Sequence, residues 1–160
     1  VTKLAIEEEL DRCLASATTI SATGETAIVG ASRRRNPTSK YAGSAHVFER
    51  NGDWQRTAGF APENGDTNEY FGSSIAMSDE AGVAIVGARK DDGPNAEDAG
   101  SAYVFERTDT DWQQAAKLTV DDSDRSDSFG LSVAVSGDGG TAVVGGDWYH
   151  DELQPAYIYE

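Results

Sequence analysis

Two groups of side chains in this sequence have types and spacings that could hold an ion or a ligand. The first is acidic. The run Asp121-Asp122-Ser123-Asp124-Arg125-Ser126-Asp127 and the run Asp91-Asp92-Gly93-Pro94-Asn95-Ala96-Glu97-Asp98 are dense in carboxylates. Calcium takes roughly 6–8 oxygen ligands, usually from alternating Asp or Asn around a Gly turn. Asp122, Asp124 and Ser126 alternate in this way, but no Gly stands at the sixth position and no closing acid follows. The candidate cation ligands are therefore Asp121, Asp122, Asp124, Asp127, Asp91, Asp92 and Asp98, with calcium as the cofactor they would take. The competing reading needs no cofactor: a solvated, salt-tolerant surface. Asp127 and its counterpart Glu69 could instead tie a turn through backbone N–H groups.

The second group could meet a partner. Arg33-Arg34-Arg35 breaks the acidity and suits an acidic ligand, or the carboxylates of a neighbouring segment. Trp148, Tyr149 and His150 stand beside Asp147, Asp151 and Glu152. Exposed aromatics among acids suit a protein or carbohydrate contact. Catalysis has less to stand on. His46 and His150 lie in different parts of the chain, and His46 occupies a strand position where packing is expected. No Gly-x-Ser-x-Gly elbow, phosphate loop or His-Glu-x-x-His motif is present. The expected function is non-enzymatic binding. A purely structural or assembly role comes second, and a hydrolase or lyase third.

Charge narrows the partners. Acidic residues outnumber basic ones 28 to 13, for a net charge of -15. Such a surface opposes nucleic acid and anionic membranes, whose phosphates need Lys and Arg. Many Asp and few Lys resemble the surfaces of proteins from salt-loving organisms. No stretch approaches the roughly 18 apolar residues of a membrane helix. Residues 1–14 lack the pattern of a signal peptide, and an initial Val suggests processing or a piece of a longer chain. Cys13 stands alone, so no internal disulfide can form.

What positions these groups is a repeat. Ile28-Val29-Gly30-Ala31 returns 57 residues later as Ile85-Val86-Gly87-Ala88, and 58 after that as Val143-Val144-Gly145-Gly146. Phe71-Gly72-Ser73-Ser74 returns as Phe129-Gly130-Leu131-Ser132, and Trp54-Gln55 as Trp112-Gln113. Each unit reads as four strands. In 131–136, bulky Leu131, Val133 and Val135 alternate with small residues, a strand period of two. The run 141–144 is apolar, as expected of a strand buried on both sides. The runs 101–107 and 112–120 supply the third and outer strands, and Trp54 and Trp112 recur as packing residues. Four strands per unit predict an all-β fold, a β-propeller of about three four-stranded antiparallel blades. The units fall at approximately 1–60, 61–118 and 119–160.

The frame is offset. Thr2-Lys3-Leu4 matches Ala116-Lys117-Leu118 of an outer strand, while the last unit ends on its third strand. A homo-oligomer could complete a ring by exchanging that outer strand, two chains making six blades. The connectors from outer to first strand and from second to third strand share one end of each blade. The acidic runs, Arg33–35 and Trp148–His150 are therefore expected on one loop face.

The phrases 129–145 and 71–88 resemble the FG-GAP repeat of the integrin α-subunit propeller and of bacterial and archaeal surface proteins. Leu14-Ala15 replaces Phe-Gly in the first unit, and Ser32, Arg89 or Asp147 stands where Pro often follows Gly-Ala. The resemblance implies a propeller, placement outside the cell or at its surface, and ligand binding or adhesion. The integrin calcium loops, between the first and second strands, do not transfer. Here those loops are Ser78-Asp79-Glu80-Ala81-Gly82 and Ser136-Gly137-Asp138-Gly139-Gly140, too short and too poor in carboxylates.

Overall fold

The repeat becomes three antiparallel sheets in a computed structural model. It describes residues 1–4, 15–34, 41–62, 69–79, 82–93, 96–109, 111–120, 128–147 and 156–160. The first blade is β1 (Thr18–Ile20), β2 (Thr26–Gly30), β3 (Ala45–Asn51) and β4 (Asp53–Phe60), side by side in that order. The second is β5 (Phe71–Met77), β6 (Val83–Ala88), β7 (Ser101–Arg107) and β8 (Trp112–Leu118). The third has β9 (Ser132–Val135), β10 (Ala142–Gly145) and β11 (Ala156–Tyr159). Both complete blades shift register at the same place, between Val47 and Phe48 and between Val104 and Phe105. The fold is all-β and antiparallel, a partial propeller.

The core lies between blades. Ile28, Ala45, Val47 and Phe60 of the first meet Phe71, Val86, Tyr103 and Phe105 of the second. Phe60 stacks on Phe105 at 4.1 Å between ring centroids, and Trp112 meets Phe60 edge-on at 5.7 Å. Trp112 is thus repeat packing, as its recurrence implies. On the far side of the second blade, Ile85 and Ala102 meet Phe129 and Val144, with Tyr157 and Tyr159 alongside. Burying a large apolar side chain contributes about 1.5–3 kcal/mol, so these two seams hold most of the stabilising area.

The seams are closed by glycine. A Cβ on Gly30 would lie 2.1 Å from the Gly72 carbonyl oxygen, and one on Gly87 would lie 1.9 Å from that of Gly130. Gly72 and Gly130 have φ of 86° and 83°, the left-handed region that glycine enters without penalty. The Phe-Gly of each blade therefore crosses the Gly-Ala of the blade before it. A serine locks each crossing: Ser16 Oγ donates to the Gly72 carbonyl at 2.9 Å, and Ser74 Oγ to that of Gly130 at 2.7 Å. In the first unit Ala15 takes the glycine's place and is held at φ 68°. Its neighbour Leu14, Cys13 and the rest of 5–14 lie outside the described residues.

Two expectations are corrected. Thr2, Lys3 and Leu4 form no strand. Within the chain both complete blades carry their own outer strand, and β11 stands at the edge of the third sheet. The run 141–144 is not buried on both sides. Val144 faces the second blade and is fully buried, whereas Val143 faces away and is 37% exposed, as is Ile158 at 66%. The equivalent Ile28 and Ile85 are buried because another blade covers them. We expect Gly87→Ala to cost about 3 kcal/mol or more in chemical denaturation, since a methyl would force two blades apart. Gly145→Ala should change stability by less than about 0.5 kcal/mol, because its nearest neighbour would be the Ser132 Cβ at 4.0 Å.

Candidate functional site

Antiparallel strands put alternate connectors at opposite ends of a blade. The links from β1 to β2 (21–25), β5 to β6 (78–82), β7 to β8 (108–111) and β9 to β10 (136–141) are short and lie at one end. Residues 31–44, 61–70, 89–100 and 119–131 make longer connectors at the other. The short turns are tied to each other across blades. The Ala22 amide donates to Asp79 Oδ1 at 2.5 Å, and the Asp79 amide to the Gly137 carbonyl at 3.2 Å. A cleft of about 190 Å³ at that end is lined by Glu49, Thr57, Arg107, Asp111 and Trp112. It is smaller than the roughly 300 Å³ at which small-molecule sites begin, and its lining carries the Arg107–Glu49 ion pair at 2.6 Å.

At the loop face, three of the seven acids proposed as cation ligands lie among the described residues, and they have different fates. Asp91 is buried at 2% exposure. Its Oδ2 accepts the Tyr103 hydroxyl at 2.6 Å and pairs with Lys117 Nζ at 2.9 Å. The Asp91 backbone also accepts the Gly100 amide at 2.8 Å, so this residue staples both ends of connector 89–100. Asp92 Oδ1 accepts the Asp98 amide at 2.9 Å, and Asp98 Oδ2 lies 3.6 Å from Lys90 Nζ. Among the described residues no three acids, histidines or cysteines converge as metal ligands. Asp121, Asp122, Asp124 and Asp127 lie outside the described residues, as do Arg35, Trp148, Tyr149 and His150. Glu69, the counterpart of Asp127, is buried just before Phe71.

Of the basic group, Arg33 is exposed and Arg34 half-buried. Arg34 sits beside Arg56, whose positive charge joins burial in lowering the Arg34 pKa. Next to them lies His46, 1% exposed, in the place of Tyr103. Its Nε2 is 2.8 Å from Ser44 Oγ, while its Nδ1 is buried without a hydrogen-bond partner. Burial first, then the charges of Arg56 and Arg34, push its pKa down to about 4. His46 is thus a packed residue, as its strand position predicts.

The structure also assembles a cluster that the reading of motifs passed over. Tyr41 and Tyr70 stack at 6.0 Å, and the Arg89 guanidinium lies 4.9 Å over the Tyr70 ring. The three come from connectors 31–44, 61–70 and 89–100, at the seam of the first two blades. Tyr41 and Tyr70 hold positive φ, 63° and 55°, as do their repeat equivalents Asp98 and Ser128 at 57° and 53°. The backbone there is a property of the repeat, whereas the aromatic rings are peculiar to this seam. Aligning the units and asking where they differ would have found them.

Two measurements follow. Asp91→Ala should cost about 2–3 kcal/mol with or without calcium, because it strips a buried, bonded carboxylate from a half-exposed lysine. Asp92→Ala should cost less than about 1 kcal/mol. Acid should also act through His46. The unfolded chain protonates this ring near pH 6.5 and the folded chain only near 4. Protons therefore favour unfolding in that window, and stability, complete above pH 6.5, falls toward pH 4 by up to about 1.4 kcal/mol per pH unit. Subtracting the stability–pH profile of His46→Tyr should isolate that slope.

Residues 54–105 and residues 112–159 each match the FG-GAP repeat. The first match runs from β4 through β7, the second from β8 through β11. Each therefore begins on an outer strand and ends on the third strand of the next blade, spanning one seam. No curated protein matches the chain. With glycine crossings at both seams and the two matches covering more than half of its length, this chain belongs to the FG-GAP repeat family.

Proposed function

We propose that the chain is a non-enzymatic binding module, with its ligand site on the loop face at the seam of the first and second blades. The observation that carries this reading is the Tyr41–Tyr70–Arg89 stack. Its backbone positions repeat from unit to unit and its side chains do not. The packing residue Trp112, by contrast, has its counterpart in Trp54. Stacked tyrosines capped by a guanidinium offer apolar area with polar edges, the composition of protein and carbohydrate contacts. Arg33 and Arg34 lie on connector 31–44, which also carries Tyr41, and extend the surface toward acidic groups. The module works outside the cell or at its surface, as integrin-like adhesion repeats do. The net charge of -15 suits a salt-rich medium. Calcium, if it takes part, acts through the acidic connectors rather than through Asp91, whose carboxylate is already committed to Tyr103 and Lys117.

A second reading is assembly. Val143 and Ile158 are exposed on the outer side of the third blade, where another blade could be seated. Both readings are tested by probing glycan and peptide arrays with the chain, with and without calcium, and weighing the chain by light scattering. Replacing Tyr41, Tyr70 and Arg89 by their repeat equivalents, Tyr41→Asp, Tyr70→Ser and Arg89→Asp, should abolish saturable binding while leaving the fold intact. Binding that survives all three overturns the assignment to this seam. A discrete dimer that binds nothing carries the assembly reading instead.

A further inference from the structure

Basic side chains are scarce in this chain, 13 against 28 acids, so carboxylate partners for them are plentiful. Lys117 pairs with Asp91 at 2.9 Å, Lys90 with Asp98 at 3.6 Å and Arg107 with Glu49 at 2.6 Å. Arg89 is different. It is half-buried just past the end of β6, next to Lys90. Among the described residues its guanidinium nevertheless makes no ion pair and no hydrogen bond. It rests instead on the Tyr70 ring, 4.9 Å from the centroid. The repeat places Ser32 and Asp147 at the equivalent positions, so this cation belongs to the seam of the first two blades alone.

The ring contact orients the guanidinium without using it up. The group is a planar fork of N–H donors, and a ring face meets only part of it. Tyr70 is itself held, by Tyr41 stacked at 6.0 Å with 14° between the ring planes and by its own left-handed backbone at φ 55°. Arg89 therefore has less freedom to lose on binding than an arginine loose on the surface. Its fork matches the two oxygens of a carboxylate, and such charge-assisted bonds are the strong ones. Long-range charge then selects among anionic ligands. A net charge of -15 repels a polyanion, whose charges recur along its length. A segment with a single acid among neutral or basic residues brings the fork its carboxylate with little of that repulsion.

We infer that Arg89 reads a carboxylate on a protein partner, the side chain of one Asp or Glu in a segment otherwise neutral or basic, whose apolar atoms lie against Tyr41 and Tyr70. The inference rests on the assignment of ligand binding to this seam, and adds what the ligand must carry.

The test is a peptide array in which every peptide bearing one Asp or Glu stands beside its Asn or Gln form, with acidic glycans on the same surface. Peptides that bind should lose at least about tenfold in affinity when the acid becomes its amide. Arg89→Gln should bind the acid forms at least about tenfold more weakly and the amide forms as the parent chain does, so that it no longer distinguishes the two. Arg89→Lys keeps the charge without the fork and should fall between. Thermal unfolding checks that each variant is folded. Should Arg89→Gln fail to fold, Arg89→Lys carries the comparison. Peptide binding that Tyr41→Asp and Tyr70→Ser abolish, but that shows no preference for acid over amide, overturns the inference and leaves the seam assignment standing. So does discrimination by Arg89→Gln equal to that of the parent chain. Preference for acidic glycans over every peptide, lost in Arg89→Gln, overturns the protein partner. The absence of saturable binding to any member of the array overturns the inference and the seam assignment together.

Discussion

Every blade in this chain is held to the next by two backbones meeting with no side chain between them. Gly72 passes over Gly30 and Gly130 over Gly87, so closely that a single methyl group would strike a carbonyl oxygen. That approach fixes the separation of the sheets, and with it the space filled by Phe71 in one seam and Phe129 in the other. It explains why the two halves of the repeat signature travel together. The Phe-Gly of one unit and the Gly-Ala of the unit before it are partners in a single contact, although more than 40 residues separate Gly30 from Gly72 along the chain. The aromatic supplies the apolar area, the glycines permit the approach, and a serine hydroxyl fixes the crossing carbonyl. The family match has the same shape, each matched stretch spanning one seam rather than one blade.

Once the seams are fixed, the ends of the blades are free to differ. The turns between first and second strands are linked tip to tip through Asp79, and each begins on a serine, Ser21, Ser78 or Ser136. Among the described residues the longer connectors share positive φ at Tyr41 and Asp98 and again at Tyr70 and Ser128, yet the side chains at these positions are unrelated. A repeat fold separates structure from specificity in this way. What recurs holds the blades, and what departs from recurrence is open to selection for contact. Glu49 and Arg107, equally polar, belong to the first class, because they join neighbouring blades by an ion pair.

The first and second blades show how far one position can move. Asp91, Tyr103 and Lys117 make a closed set in which the acid is satisfied from two sides. Arg34, His46 and Gly59 occupy the same three points with the charge inverted and one side chain missing. Burial of the imidazole beside two arginines holds it neutral well below its ordinary pKa.

The sequence by itself determined the all-β fold and the four-stranded repeat unit, because alternation of bulky and small residues and a fixed spacing of Phe-Gly and Gly-Ala are local patterns. The third strand of the second unit was legible to the residue. It also showed that Trp112 and His46 serve packing, since both stand at repeated strand positions. Tertiary structure decided the rest. Asp91 reads as one acid among several in a polar connector, and only the fold brings Tyr103 and Lys117 to it from two other strands. Tyr41, Tyr70 and Arg89 lie far apart in the chain, and become one surface only where three connectors meet at a seam. Val143 reads like Ile28 and Ile85, yet it is exposed, because burial depends on whether a blade lies beyond it. Periodicity records which way a side chain points, and only the packing of blades records what it meets there.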